Sequence, residues 1–217
     1  MKILQIILFF TCFGVLNLSA QNDTEAESIL KSISTKYKAY ATAKIDLKLT
    51  INIPETKENV VSTGVAWLKK DMFKVEFDER MLVSNTVTQW TYLKEVNEVQ
   101  ISKYDPSSMI FLPSKIFDLY NKDYIYRVKE EFKNSNGELI KLIELTPRNK
   151  NFEIFKIVVS INISKMELVK SQIFEKSGMK YSYDIISLKA NVKLDDSFFT
   201  FDPKAYGIAK DDITDLR

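Results

Sequence analysis

The sequence predicts an α+β protein that is mainly β, with one N-terminal helix followed by about 10–11 strands in an antiparallel sheet. Apolar residues recur at helical spacing up to residue 40, and from residue 45 they alternate with polar ones, as in half-buried strands. Short turn signals separate the alternating runs, and tight turns join antiparallel strands, because parallel pairs need long crossovers. Such a sheet must curl over its own core or be covered.

Residues 1–20 have the organisation of a secretory signal peptide. Lys2 precedes an apolar run over residues 3–18, and Leu18-Ser19-Ala20 places small residues before Gln21. The run is shorter than the ~20 residues of a spanning helix, which opposes the alternative of an uncleaved anchor. Cys12 lacks the usual context of a lipid-modified cysteine. We therefore expect export and cleavage near Ala20-Gln21.

Composition limits both the architecture and the partners. Residues 21–217 are predicted to form a single domain, large enough to bury a sizeable core. The chain has one cysteine, so this core, and not disulfides, must stabilise the domain. The 31 basic and 29 acidic residues are evenly mixed and give a net charge of +2, which gives no case for nucleic-acid binding.

The first predicted element after residue 20 is an amphipathic helix. Thr24 and Glu27 have the spacing of a capping box, in which a hydroxyl and a carboxylate satisfy the free amides of the first turn. The apolar stripe that follows at helical spacing consists of Ala26, Ile29, Leu30, Ile33, Tyr37 and Tyr40.

Alternating apolar and polar residues predict the strands. In the first half these are Ile45 to Ile53, Val61 to Trp67, Phe73 to Phe77, Trp90 to Tyr92, Val99 to Ile101 and Tyr124 to Val128. In the second half they are Leu139 to Leu145, Phe155 to Ile163, Leu168 to Phe174, Met179 to Ser187 and Phe198 to Phe201. Asn134-Ser135-Asn136-Gly137 and Lys176-Ser177-Gly178 are predicted hairpin turns, because Asn and Gly tolerate positive φ.

Residues 105–120 interrupt the strand pattern. Pro106 and Pro113 bracket an apolar stretch, and Ser114 can cap a short helix that begins before Ile116. Such a helix covers the core or, together with the N-terminal helix, the mouth of the sheet.

The residue inventory excludes most catalytic chemistry. The chain has no histidine and no cysteine beyond the predicted signal peptide, which excludes Ser-His-Asp and Cys-His systems and zinc sites with nitrogen or sulfur ligands. The sequence contains no Gly-rich phosphate loop. Adjacent carboxylates such as Asp195-Asp196, Asp211-Asp212 and Glu130-Glu131 point to opposite faces of a strand and are typical of solvated turns. We therefore expect a protein that is not an enzyme and has no cofactor or metal.

Aromatic residues carry the positive evidence for binding. They make up 12% of the chain. A protein without catalytic groups usually binds a small or acyl ligand in an apolar concave site. A curled sheet of this size either fills its interior with side chains or leaves a cavity, and composition does not separate these outcomes.

A series of short motifs runs along the chain in a consistent order. Its members are Tyr37-x-x-Tyr40, Ser62-Thr63-Gly64-Val65-Ala66-Trp67-Leu68-Lys69-Lys70, Phe73-Lys74-Val75, Leu82 to Asn85 with Thr88 to Tyr92, Leu145-Thr146-Pro147, Phe199-Thr200-Phe201 and the terminal Asp215-Leu216-Arg217. In order and spacing this series resembles the LolA family of periplasmic lipoprotein carriers, across nearly the whole chain after the signal peptide.

The resemblance implies an incomplete (open) antiparallel β-barrel of about 10–11 strands, covered by a helical lid around an apolar cavity. In that family the cavity takes the acyl chains of lipoproteins from an inner-membrane ABC transporter and delivers them towards the outer membrane. The implied partners are therefore acylated lipoproteins and this transporter, with an unknown outer-membrane acceptor, and the implied state is a periplasmic monomer. The candidate cavity residues are Leu47, Leu49, Val65, Trp67, Val75, Phe77, Trp90, Tyr92, Ile110, Phe111, Ile116 and Phe117.

Two further residues receive roles from the resemblance. Family members place an arginine after the lysine of the second strand, where it ties the lid shut. This chain has Lys70 at that position, so Lys70 is the candidate latch, although an ammonium lacks the bidentate fork of a guanidinium. The family counterpart of Phe73 belongs to the contact with the transporter. Asn85-Thr86-Val87 replaces the hairpin glycine of the family, and Asn tolerates positive φ.

Three alternatives remain at this point. A related module that binds or senses another amphiphile, such as a glycolipid or a polyketide-like product, would use the same cavity. An outer-membrane β-barrel also consists of ~10-residue alternating strands, but the amphipathic helix and the charged polar face of most strands oppose it. A hydrolase acting through carboxylates is opposed by the divergent geometry of the doublets.

Overall fold

The computed structural model describes residues 23–105 and 123–217 of the chain. One α-helix, α1 (Thr24–Lys38), precedes a sheet of twelve strands. The strands are β1 (Ala43–Ile53), β2 (Glu58–Lys69), β3 (Met72–Phe77), β4 (Arg80–Ser84), β5 (Thr88–Leu93), β6 (Glu98–Lys103), β7 (Tyr124–Lys133), β8 (Leu139–Pro147), β9 (Ile154–Asn162), β10 (Glu167–Glu175), β11 (Lys180–Ala190) and β12 (Ile213–Asp215).

The strand order in the sheet is β12-β6-β5-β4-β3-β2-β1-β11-β10-β9-β8-β7. Two series of hairpins, β1 to β6 and β7 to β11, meet where β1 pairs with β11, from Ala43 opposite Ala190 to Asn52 opposite Lys180. The outer strands β12 and β7 are not neighbours, so the sheet is open. The predicted mainly β fold with an open antiparallel sheet is therefore confirmed.

One strand pair departs from the antiparallel prediction. β12 runs parallel to β6, with Ile213 opposite Val99. The chain between β11 and β12 is long enough to cross the sheet and approach β6 from the other direction, which a tight turn does not allow. None of the helices in the described ranges has both the length and the hydropathy needed to cross a membrane.

The start of α1 differs from the predicted capping box. The N-cap is Asp23, whose Oδ1 accepts hydrogen bonds from the amides of Glu25 (2.9 Å) and Ala26 (3.3 Å). Its Oδ2 accepts from the amide of Val128 in β7 (3.0 Å), so the same carboxylate caps the helix and attaches it to the sheet. A short carboxylate one position earlier satisfies these amides, and Thr24 becomes the first helical residue.

We call the sheet face against which α1 packs the inner face. Ala26, Ile29, Leu30 and Ile33 of α1 share one core with residues from both halves of the sheet. The strand residues of this core include Ile45, Leu47, Leu49, Ala66, Leu68, Phe73, Val75, Phe77, Tyr126, Ile143, Leu145, Ile157, Val159, Ile161, Ile173 and Tyr183. The helix ends at Lys38, so Tyr40 lies beyond it, while the Tyr37 hydroxyl accepts a hydrogen bond from the amide of Leu168 (3.3 Å).

The predicted turns are mostly confirmed. Gly137 (φ 76°) lies in the β7–β8 hairpin turn, and Gly178 (φ 88°) lies in the β10–β11 turn. In the β4–β5 turn the positive φ belongs to Thr86 (75°) and not to Asn85. Asn85 instead uses its side-chain oxygen, which accepts from the amides of Val87 (3.1 Å) and Thr88 (2.9 Å).

The opposite, outer face carries a second core under the C-terminal segment, residues 191–212. Its buried members are Met81, Val83, Trp90, Tyr92, Val99, Phe201 and Ile208. The predicted strand from Phe198 to Phe201 is wrong, because Asp196–Phe199 forms a short 3-10 helix. Two further 3-10 turns follow, Pro203–Tyr206 and Lys210–Asp212. This irregular backbone buries Phe199 and Phe201 one at a time against the sheet.

Candidate functional site

Four of the predicted cavity residues lie together on the inner face. Leu47 and Leu49 of β1 and Val75 and Phe77 of β3 are all buried in the core beneath α1. Leu47 is opposite Gly64 in β2, and Gly64 is in turn opposite Phe77 in β3. These residues therefore form a continuous apolar strip across three neighbouring strands.

Gly64 leaves the space that the Phe77 ring occupies. A Cβ at position 64 would lie 2.5 Å from Cδ1 of Phe77 and 2.7 Å from the carbonyl oxygen of Glu76. Both distances are far below van der Waals contact. Position 64 in the second-strand motif therefore requires glycine for a steric reason, because only glycine lets the Phe77 ring lie against β2.

Four other candidates lie on the outer face. Val65 and Trp67 are opposite Asp46 and Lys44 of β1, so they point away from Leu47. Trp90 and Tyr92 belong to the second core beneath the C-terminal segment. The prediction that these four share a face with Phe77 is wrong. β2 carries apolar residues on both faces, and in β5 the apolar face is the outer one, so alternation alone does not identify the inner face.

Trp67 has its own set of partners on the outer face. Its ring centroid lies 5.5 Å from that of Phe198 in an edge-to-face arrangement. The Lys74 Nζ lies 5.7 Å from the Trp67 centroid and 5.0 Å from that of Phe198. These contacts attach the C-terminal segment to β2 and β3. Ile110, Phe111, Ile116 and Phe117, the remaining cavity candidates, lie outside the described residues.

The candidate latch lies directly after β2. Lys70 is exposed in the turn between β2 and β3, with φ 53°. The preceding residue contacts the C-terminal segment: the Lys69 ammonium donates to the carbonyl of Leu194 (2.8 Å) and lies 2.7 Å from the Asp196 carboxylate. The hydrogen bond from the Lys69 ammonium lowers the pKa of the Asp196 carboxyl. The two Lys69 contacts hold the C-terminal segment on the outer face.

Phe73, the candidate contact for a transporter, is an interior residue. Its side chain is 1% exposed, and its ring centroid is 6.4 Å from that of Tyr104. A partner protein therefore reaches this ring only if the core around it opens.

Polar groups interrupt the apolar inner face near the β3–β4 turn. The Ser62 hydroxyl donates to the Glu79 carboxylate (2.9 Å), and the exposed Arg80 follows directly. Burial raises the pKa of Tyr183, and the nearby positive charge of Arg80 opposes that rise. We name Ser62, Glu79, Arg80 and Tyr183 the polar end of the inner face.

These polar groups received no role in binding from the sequence alone. Ser171, opposite Tyr183, is fully buried, and its hydroxyl has no hydrogen-bond partner in the described part of the structure. A register shift between Leu168 and Lys170 moves Ser171 onto the inner face. The inner face is therefore a buried apolar core with hydroxyls and the Arg80 guanidinium towards one end. Within residues 23–105 and 123–217 no group of three or more potential metal-ligating side chains is found.

Comparison with known proteins gives a family match, similar solved structures and a curated relative. The family model described as outer membrane lipoprotein carrier protein LolA matches residues 54–202. Among solved structures, an uncharacterized conserved protein from Thermus thermophilus is similar with 13% identity and a TM-score of 0.54, over 88% of this chain and 99% of that one. LprF from Mycobacterium bovis is similar with 13% identity and a TM-score of 0.50, over 81% and 98%. At these identities the similarity concerns the fold.

A curated relative is more similar in sequence. It is an uncharacterized protein of Methanocaldococcus jannaschii, MJ0687, with 24% identity over 208 residues. The match covers 91% of this chain but only 57% of that protein.

Proposed function

Since this chain belongs to the LolA family of outer membrane lipoprotein carrier proteins, we propose that its inner face binds the acyl chains of lipoproteins in the periplasm and carries them from the inner to the outer membrane. Members of this family bind and carry, and are not enzymes. The observation that carries the proposal is the continuous apolar face beneath α1, to which both halves of the sheet contribute.

The energetics of acyl-chain transfer fit such a face. Each methylene group removed from water contributes ~0.8 kcal/mol. A carrier therefore needs a large sheltered surface, and it must also release its cargo. The open sheet suits release, because β12 and β7 are not paired with each other and their separation is not fixed by barrel closure.

The polar end of the inner face would receive the linkage between the acyl chains and the lipoprotein. Acyl ester and amide carbonyls accept hydrogen bonds, and Arg80 and the unpartnered Ser171 hydroxyl are donors. Burial of an unsatisfied hydroxyl is unfavourable, so a ligand carbonyl at Ser171 would remove a cost that the empty protein carries.

In this proposal an inner-membrane ABC transporter supplies the lipoprotein. Contact between the transporter and Phe73 would require the buried ring to become accessible, so loading would open the core at β3. Lys70 is exposed at the neighbouring turn and is available to the same partner.

Native mass spectrometry tests the proposal on protein recovered from a Gram-negative periplasm without detergent. We expect a bound acylated species that dissociates on gentle activation. Its mass separates a lipoprotein from another amphiphile. A consistently ligand-free spectrum, under conditions that retain the cargo of a known carrier, would contradict the proposal.

Photo-crosslinking locates the ligand, with variants that circular dichroism shows to be folded. A benzophenone side chain at Leu49 or Val75 faces the inner core, whereas one at Trp67 faces the outer surface. We expect adducts with acylated species at the two inner positions and none at Trp67. Phe77→Asp should in addition abolish ligand retention, because it places a charge in the apolar strip.

A further inference from the structure

A row of aromatic and basic side chains crosses three strands on the outer face of the second half of the sheet. Phe174 in β10 lies opposite Lys156 in β9 and Lys180 in β11. The two ammonium groups lie 4.3 and 5.4 Å from the centroid of the Phe174 ring. Phe155 lies beside Phe174, with 6.3 Å between the centroids. We call these residues, with the exposed Phe152 from the loop that leads into β9, the aromatic–lysine patch.

The aromatic groups of this patch are unusually exposed. Phe152 and Phe155 are 44% and 45% exposed. The loop that carries Phe152 is fixed to the neighbouring turn, because the Lys176 amide donates to the carbonyl of Glu153 (2.9 Å) and the Lys176 ammonium to that of Lys150 (2.6 Å). These hydrogen bonds therefore fix the position of the loop that carries Phe152.

The charges around the rings are mainly positive. Lys150 and Lys176 lie in the loop before β9 and the turn after β10, where the Lys176 ammonium donates to the Lys150 carbonyl. The acidic residues next to the patch include Glu175, which accepts a hydrogen bond from the Ser177 hydroxyl. Glu153 is another. Four lysines and two glutamates leave the patch basic.

We propose that the aromatic–lysine patch docks this protein onto the surface of a bilayer that contains anionic phospholipids. Lysines at the rim attract the lipid phosphates, while exposed phenylalanines enter the boundary between headgroups and acyl chains. The proposal concerns the outer face and does not depend on what the inner face binds. Docking would bring the carrier to a membrane before any contact with a donor or acceptor protein.

An acidic protein is the competing partner for a basic surface, and the arrangement of the patch favours lipid. β9, β10 and β11 are each paired on both sides, so the patch offers no free strand edge for a peptide to extend. Aromatic side chains with lysines around them match the layered polarity of a membrane interface.

Vesicle co-sedimentation tests the proposal with the exported protein, whose N-terminus is mapped and is the same in every variant. We expect binding to vesicles of phosphatidylcholine with phosphatidylglycerol, weak binding to phosphatidylcholine alone, and loss of binding as salt rises. Lys156→Gln with Lys180→Gln should weaken partitioning roughly 30-fold, about fivefold for each lysine. The double variant Phe152→Ser with Phe155→Ser should lose the vesicle binding that the unaltered protein retains at moderate salt.

Matched controls change the same residue types elsewhere on the surface. Lys31→Gln with Lys210→Gln removes two charges, and Val87→Ser with Val96→Ser removes two exposed apolar side chains. These variants should bind as the unaltered protein does. Equal losses in the control and patch variants would overturn the proposal, as would failure to bind anionic vesicles at low salt. Capture of an acidic protein by the patch in the absence of vesicle binding would also overturn it.

Discussion

At position 64 the chain has no room for a side chain, because the Phe77 ring and the Glu76 carbonyl fill the space that a Cβ would take. Gly64→Ala should therefore lower the free energy of unfolding by about 1–3 kcal/mol, which is the usual cost of overpacking. Urea denaturation followed by circular dichroism measures this change.

A second substitution checks the cause. Phe77→Leu in the Gly64→Ala background removes the ring that the new methyl group meets, so the two changes together should destabilise less than the sum of their separate effects. Simple additivity would show that the methyl group is accommodated without contact with Phe77, and the steric explanation of the glycine would then fail.

Among the elements, α1 depends on a single carboxylate at its start. The hydrogen bond from the Val128 amide, followed by those from Ala26 and Glu25, lowers the pKa of Asp23. Because the folded-state pKa is below the unfolded one, this stabilisation is present above about pH 4 and is lost as pH falls through the folded-state pKa. Asp23→Asn keeps an acceptor but does not titrate, so it should be less stable than the unaltered protein at pH 7 by about 1 kcal/mol or less.

The pH dependence of that difference separates charge from capping. Below the folded-state pKa the protonated Asp23 resembles asparagine, so the difference in unfolding free energy between the two proteins should decrease as pH falls through that pKa. Asp23→Ala, which also removes the cap, should remain less stable throughout by about 0.5–2 kcal/mol. A constant difference for Asp23→Asn from pH 7 to pH 2 would refute the role of the charge.

The C-terminal segment is a second element with a testable structural role. Phe201 is buried, with its ring 5.4 Å from Tyr92 and stacked on Tyr206 at 4.7 Å. Phe201→Ala should cost about 3–5 kcal/mol, the range for a buried phenylalanine. It should also shift the emission of Trp90, which shares this core, to longer wavelength.

The half-exposed Phe155 supplies the control for this prediction. Phe155→Ala should change stability by less than about 0.5 kcal/mol, because surface substitutions usually have effects of this size.

The Phe201→Ala variant should retain its inner-face ligand at temperatures where this variant remains folded. Loss of ligand from a folded Phe201→Ala protein would mean that the outer core takes part in binding.

The elements also show where prediction from sequence succeeds and where it stops. β1 was assigned to the correct face because Asp46, Lys48 and Thr50 mark its polar side. β2 carries apolar residues on both faces, and the apolar face of β5 is the outer one, because the C-terminal segment covers the side opposite α1. Alternation therefore does not predict the face of Trp67 or Trp90. The side of such a strand depends on a distant segment, and local periodicity does not contain that information.

At the scale of the whole molecule, hairpin neighbours follow from short turns, but the junction of the two halves does not. Ala43 in β1 pairs with Ala190 in β11, across most of the chain. β12 likewise joins β6 only after the C-terminal segment has crossed the outer face. Mainly β content, an open sheet and the N-terminal helix were predictable, whereas these long-range pairings required the structure.

The junction of β1 with β11 predicts that both halves unfold together. α1 and the inner core contact residues of both halves, so neither half retains its apolar cover alone. The two tryptophans, Trp67 and Trp90, both lie in the first half, and circular dichroism reports on the whole sheet. Urea transitions followed by tryptophan fluorescence and by circular dichroism should therefore coincide.

The Leu47→Ala substitution, at the junction, should move both transitions to lower urea by the same amount, equivalent to a loss of about 2–5 kcal/mol in the free energy of unfolding. Tryptophan and circular-dichroism transitions that separate, in either protein, would instead mean that the two halves are independent folding units.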